Sequence, residues 1–518
     1  MRRTGRGQNP LVFGTFPARN ATMNLWASTA RHGVFRLENP AFALATISAK
    51  PALAESRPLH RGFPVAPMRA FPLLAFGLFL AARLAGAPAA ISSPPPDERF
   101  KADLLVIIAH PDDETLIAGY LARAVLDDHR RVAVVCTTRG NAGQNLVGFE
   151  QAASLAEIRE AEARAALTAI GIRNVWFLRA PDTPAPEVHD VLRSLGAWNH
   201  GQILGELVRF IRLTRPTVVI TMLPDVVAGE NHEDHQAAGV IATEAFDLAG
   251  DPTKLPEQVA TPEDRLFYGN LMEGLRPWQP QKLYFFTDAS HLDFVKGQGP
   301  EYSTTVVSPS QHVSYARLAA TEASFHRTQG DTGPPGEKAL ATGDLSFYEP
   351  PVPFVLGKSP VGGTPTGDVF EGTVARPFAF AAVRGFQPQS SPKPAIELGG
   401  PWAFYADFWP AHNLDRMPQL LAPELGVGGG QNFPVPLLLH NGTDQVRVVT
   451  VRVQLPPGWT EVKGSGVFAV AAHDSSPVQA RLIAPRTTKS EWQQITWIAE
   501  TEGQPAGSAT LRVLVGGQ

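Results

Sequence analysis

Residues 102–114 read ADLLVIIAHPDDE. The first eight form a nearly continuous apolar run, which is how a strand buried on both faces is written. At His110 the run breaks into Pro111, Asp112, Asp113 and Glu114, and helical spacing takes over across 115–126. A polar cluster between the carboxyl end of a buried strand and a helix stands where open α/β sheets place their sites. The same alternation continues downstream. Strand-like runs fall at 132–137, 175–178, 217–222 and 282–286. Helical spacing falls between them. In 152–170 one face carries Leu155, Ile158, Ala165, Ala166 and Ala169, with Gly171 as the stop. Helices are also expected over 203–213 and over 235–248, the latter closed by Gly250 and Pro252. Repeated β-α-β units predict an α/β fold with a parallel sheet covered on both faces. The turn after the first strand lacks a G-x-G-x-x-G pattern, so no dinucleotide is expected.

The rest of the chain is written differently. Residues 1–67 carry no sustained period and read as a disordered or non-native extension. From Met68 a short basic start leads into the apolar run 70–82, and Ala87-Pro88-Ala89 follows as a small-residue cleavage site. That is the layout of a secretory signal peptide over 68–89, with Met68 as the expected start and an exported mature chain. As a helix the run spans about 20 Å, short of the roughly 30 Å of a bilayer core, so no stable membrane span is expected after cleavage. The α/β region is bounded at 97–290. Residues 291–422 read as an irregular extension packing on it, with one helix candidate at 314–327 and an aromatic run, WAFYADFW, at 402–409 that looks like packing material or a cleft wall. From 423 to 518 the period switches to two. Val449, Val451, Val453 and Leu455 alternate with polar neighbours, and turn signals such as Asn441-Gly442 separate the runs. This predicts an all-β, immunoglobulin-like sandwich.

Composition narrows the function classes. The 518 residues carry 45 Lys and Arg against 49 Asp and Glu, for a net charge of −4, so the basic stripe of a nucleic-acid binder is missing. The single cysteine, Cys136, excludes an internal disulfide framework and a Cys-rich zinc site, and its apolar setting makes it a core residue.

The chemistry is concentrated in two segments. His110 and Asp113 stand three apart across a turn and can point at one spot, and a zinc-type ion accepts imidazole nitrogen and carboxylate oxygen. Asp112 beside them is free to act as a general base. Helix capping would account for one acid but not for the histidine or the run of three. The second segment, Asn231-His232-Glu233-Asp234-His235, follows the strand expected at 217–222. Its histidines share a face at a helix start, so one can complete a metal set while the other acts on substrate. Two nitrogens and one carboxylate leave a coordination position for water.

Together these segments resemble the PIG-L/LmbE family of zinc-dependent N-acetylglucosaminyl deacetylases over about 100–290. Supporting pieces are Thr138-Arg139-Gly140, Arg159-Glu160-Ala161-Glu162, the run from Phe177-Leu178 to Asp182, and Gln236-Ala237-Ala238-Gly239. The resemblance implies a Rossmann-like sheet and hydrolysis of an acetamido sugar's N-acetyl group. It makes His110, Asp113 and His235 the metal ligands, with zinc as the ion and iron(II) as the alternative. Asp112 becomes the general base. His232 would stabilise the oxyanion and protonate the leaving amine, and Asp234 would orient His232. Arg159 and Asp182 fall where relatives contact the sugar, with Asn141 as a further contact. Asn141 stands where the family often has an acidic residue, and Glu233 replaces a usual proline. The expected partner is a small-molecule or glycan substrate. The competing readings are a zinc amidase acting on a non-sugar amide and a non-catalytic carbohydrate-binding surface protein.

Other residues are set aside. His129 suits a helix C-terminus. His326 could edge the pocket from the middle region. His189, His200, His291, His312, His412, His440 and His473 have no ligand-like spacing and read as surface or packing, and Trp278 reads as core.

Overall fold

The computed structural model describes residues 96–183, 190–229, 232–259, 274–375 and 393–516. The signal-peptide reading at 68–89, the extension 1–67 and His189 lie outside the described residues.

The buried runs are strands. β1 (Leu104–Ile108), β2 (Val132–Cys136), β3 (Asn174–Phe177), β4 (Val218–Met222) and β5 (Lys282–Phe286) are parallel and ordered β3-β2-β1-β4-β5. Two short strands, β6 (Glu301–Tyr302) and β7 (Val352–Pro353), pair with each other, and β8 (Val355–Lys358) closes the main sheet against β5 in the antiparallel sense. Side chains of a strand alternate between faces. Leu104, Val106 and Ile108 accordingly enter one core with α1 (Ala118–Leu126) and the end of α2 (Ala152–Ala169). Leu105 and Ile107 enter the other. That second face is covered by α3 (Val191–Ala197), α4 (His200–Thr214) and α5 (Glu233–Leu248). The strand order reverses between β1 and β4, so the carboxyl ends of these two strands open a crevice at the switch point.

The middle region holds more structure than its text suggests. α6 (Tyr315–Ala323) is shorter than the expected 314–327. It is followed by α7 (Gly333–Thr342), which begins Gly-Pro-Pro-Gly. That opening reads as a turn. Proline is equally at home in the first turn of a helix, where its missing N–H has no intrahelical partner to lose. The aromatic run at 402–409 lies in α8 (Pro401–Ala411). Trp402, Tyr405, Phe408 and Trp409 are buried, the Tyr405 hydroxyl donates to Gln236 Oε1 at 3.0 Å, and His412 Nδ1 meets Asp247 at 2.7 Å. This run is thus a helix seated on α5.

The C-terminal region is a β sandwich. One sheet is ordered β13-β15-β11-β9, from β9 (Ile396–Leu398), β11 (Asn432–His440), β13 (Thr460–Lys463) and β15 (Ser475–Ile483). The other is ordered β10-β17-β16-β12-β14, from β10 (Glu424–Gly428), β12 (Arg447–Gln454), β14 (Gly466–Val470), β16 (Glu491–Thr501) and β17 (Gln504–Gly516). The two-residue period sends Val449, Val451 and Trp497 inward. β9 comes from within the stretch expected to be irregular, because three residues are too few for a readable period. The sandwich core runs without a break through α8 into the face of the main sheet that α5 covers. Among the described residues no helix is long and apolar enough to cross a membrane.

Candidate metal centre

The two polar segments meet at the switch point. His110 stands two residues beyond β1, and Asp113 opens a 3-10 turn, Asp113–Ile117, ahead of α1. His232 is the N-cap of α5, and His235 lies in its first turn. The His110 ring is 5.1 Å from that of His235 and 4.8 Å from that of His232, centre to centre.

Asp113 is oriented by the backbone. Its Oδ2 accepts from the N–H groups of Ala109 and His110 at 2.9 and 2.8 Å. Its Oδ1 faces His110 Nδ1 at 3.7 Å and His235 Nε2 at 3.3 Å. An ion with ligands at about 2.0–2.2 Å in tetrahedral array requires donor atoms about 3.3–3.6 Å apart. The three atoms therefore fit a zinc-type ion, and they would hold it. Burial works against ionising Asp113, yet the neighbouring His235 and His110 bring its carboxyl well below the usual range. Second partners complete the arrangement. Asp182 Oδ1 and Asp234 Oδ2 lie 3.2 and 3.5 Å from His110 Nε2, and Asp288 Oδ2 lies 3.7 Å from His235 Nδ1. Carboxylates on the far nitrogen fix a ligand histidine's ring and tautomer. Burial alone would lower the His110 pKa, but Asp113, Asp182 and Asp234 hold it well above its ordinary value.

Asp112 sits on strained backbone, with φ 119°. For a residue with a Cβ this costs about 1–3 kcal/mol. The turn is held by its neighbours. The Asp112 N–H donates to Glu114 Oε2 at 2.9 Å, and Thr332 Oγ1 donates to Asp112 Oδ2 at 3.0 Å. Burial, with the charge of Asp113 beside it, pushes the Asp112 carboxyl up to about 7.

His232 Nδ1 accepts the N–H of Asp234 at 3.2 Å. A ring nitrogen that accepts leaves the proton on the other, so Nε2–H is the donor. The Asp234 link to His232 thus runs through its backbone N–H. Its carboxylate is bound by Thr183 and Ser194 and faces His110.

The residues expected at the sugar lie around the loop at 140–144. The Arg159 guanidinium, 7% exposed, donates to the carbonyls of Gly140 and Gln144 and braces that loop. Asp182 Oδ2 accepts from Ala142 N at 2.5 Å while its Oδ1 faces His110. Asn141, half-buried, lies between these two anchored positions. Both charged groups help to order the loop, and Asp182 also faces His110. Asp288 and Thr332 were not foreseen. Asp288 does follow the end of β5 by two residues, the same signal that marks His110. Thr332 is separated from Asp112 by 220 residues, and no local pattern announces it.

Fold and site therefore define an α/β protein with a two-histidine, one-carboxylate centre at the switch point of its sheet. Residues 105–246 match the family described as PIG-L: GlcNAc-PI de-N-acetylase, and this part of the chain is a PIG-L domain. The chain is 31% identical over 179 residues to the 1D-myo-inositol 2-acetamido-2-deoxy-alpha-D-glucopyranoside deacetylase 1 of Catenulispora acidiphila, covering 32% of this chain and 55% of that protein. With the deacetylase of the same type from Streptomyces scabiei it shares 29% identity over 313 residues, 54% of this chain and 94% of that one. The N,N'-diacetylchitobiose deacetylase from Pyrococcus horikoshii aligns at 18% identity and a TM-score of 0.35, over 56% of this chain and 94% of that one. This chain spans little more than half the length of several relatives that it matches.

Proposed function

We propose that this protein is an exported, zinc-dependent deacetylase that hydrolyses the N-acetyl group of an N-acetylglucosamine-type sugar or glycoconjugate. The observation that carries the reading is the convergence of His110, Asp113 and His235 around one point, with Asp112 and His232 beside it. The relatives are named for a 2-acetamido-2-deoxy-glucopyranoside of inositol, a compound that carries the acetamido group.

When bound, the ion supplies Lewis acidity toward water and the amide carbonyl. Asp112 takes the proton of the attacking water as its oxygen bonds to the carbonyl carbon. His232, with Nε2–H as donor, hydrogen-bonds the oxygen on which negative charge develops. The C–N bond then breaks, a proton passes to the amine, and acetate and the free amino sugar leave. Asp182, Asp234 and Asp288 face the far ring nitrogens of His110 and His235, and Arg159 keeps the 140–144 loop in place.

Export rests on the residue pattern at 68–89. The C-terminal sandwich is read as an appended immunoglobulin-like spacer or adhesion module. Acetate release from a panel of N-acetylated sugars and non-sugar amides tests the reading. Release from glucosamine derivatives supports it, and release from non-sugar amides alone favours a different amidase.

A further inference from the structure

A second cluster lies behind the first. Glu114 leaves the same turn as Asp113, while Glu322 and His326 come from α6 and the residues after it. All three side chains are fully buried. His326 Nε2 is 3.3 Å from Glu114 Oε1 and 3.5 Å from Glu322 Oε1. Neither contact has hydrogen-bond geometry. Glu114 Oε1, both oxygens of Glu322 and both nitrogens of His326 are buried without a hydrogen-bond partner.

The distances are informative beside the other histidine–carboxylate pairs of this protein. His291–Glu424, His412–Asp247 and His473–Asp444 close to 2.7 Å, as charge-assisted hydrogen bonds do, whereas the carboxylates around His110 and His235 stand at 3.2–3.7 Å. The His326 contacts are longer and match the 3.3–3.7 Å separations of His110, Asp113 and His235. They also match the roughly 3.3–3.6 Å edges of a polyhedron around a small divalent ion. Buried oxygen and nitrogen atoms without hydrogen-bond partners are costly, and a bound cation would satisfy lone pairs of the carboxylates and the imidazole together.

We propose that Glu114, Glu322 and His326 form a second, buried divalent-metal site, separate from the catalytic set. It would join α6 to the turn after β1. Because Glu114 Oε2 also accepts the Asp112 N–H, an ion on Oε1 would stiffen the strained residue beside it. The class of ligand is a transition ion such as zinc or manganese that accepts mixed oxygen and nitrogen donors.

Elemental analysis of the full chain, purified with zinc and freed of excess metal by gel filtration, tests the proposal. The expected content is about two ions per chain for the wild type, about one for His235→Ala, and about one for Glu322→Gln combined with His326→Gln. A wild type with one ion that is lost entirely in His235→Ala overturns it. Should the double variant fail to fold, anomalous diffraction at the zinc edge from wild-type crystals decides. A peak among Glu114, Glu322 and His326 supports the site. A peak at His110, Asp113 and His235 with none at the second cluster overturns it. Neither readout depends on deacetylation.

Discussion

At the residue scale, Asp112 is the most exposed to test. It occupies a left-handed conformation, is held by Thr332 and Glu114, and stands beside the ligands without being one of the three. Asp112→Asn keeps the shape and removes the base. Turnover is expected to fall by about 10²–10⁴-fold, with metal content by elemental analysis unchanged. Near-normal turnover would show that another group takes the proton. The proximity of His110, Asp113 and His235 was legible because each lies in a short polar segment directly after a strand that reads as buried. The loop contacts of Arg159 and Asp182 and the Thr183 and Ser194 contacts of Asp234 were not. Which atom of a carboxylate or guanidinium faces which partner depends on loops meeting in space. His326 shows the same limit. It reads as a pocket-edge candidate, and it is buried against Glu114, 212 positions earlier in the chain.

At the element scale, the site depends on α5 lying close to β4. Gly239 permits this: a Cβ there would meet the Met222 carbonyl oxygen at 2.4 Å and Pro224 N at 2.9 Å, both backbone atoms. Gly239→Ala should push the helix that carries His235 away from the sheet. We expect a loss of about 1–3 kcal/mol in urea unfolding together with weaker metal binding by titration. Unchanged metal affinity would show that the helix has room to move. A second element contact joins the end of α1 to the segment before α6. Asp127 accepts from Ser308 Oγ at 2.6 Å, Ser310 N at 3.0 Å and Tyr315 Oη at 2.7 Å. Burial opposes ionisation, but these donors lower the carboxyl from 3.8 to about 2. A depressed carboxylate stabilises fully above its unfolded value and loses that contribution as pH falls through its folded value. The gap in urea midpoint between wild type and Asp127→Asn should therefore narrow from about pH 5 to about pH 2.5. A constant gap would contradict the assignment. The strands β1 to β5 and most of those in the sandwich were readable from apolar runs and period two, while the short β6 to β9 were not. α7 and α8 were not, since a Pro-Gly opening imitates a turn and an almost wholly apolar helix shows no polar face.

At the scale of the whole molecule, the sandwich and the α/β domain share one core. α8 lies on α5, and Glu424 of β10 binds both His291, beyond β5, and Arg512 of β17. Elements joined by a continuous apolar interior should lose structure together. Scanning calorimetry of the chain over 93–518 is expected to show a single cooperative transition. Two well-separated transitions would mean that the sandwich is an independent module with a weak interface.

Acetate release from an N-acetylglucosaminyl substrate, followed before and after chelation and again after zinc is restored, bears most directly on the central claim. The metal-loaded protein should release acetate and amino sugar in equal amounts, stop when chelated, and recover with zinc. Release that continues undiminished in chelator, or no release from any N-acetylated sugar by protein shown to hold its metal, would contradict it.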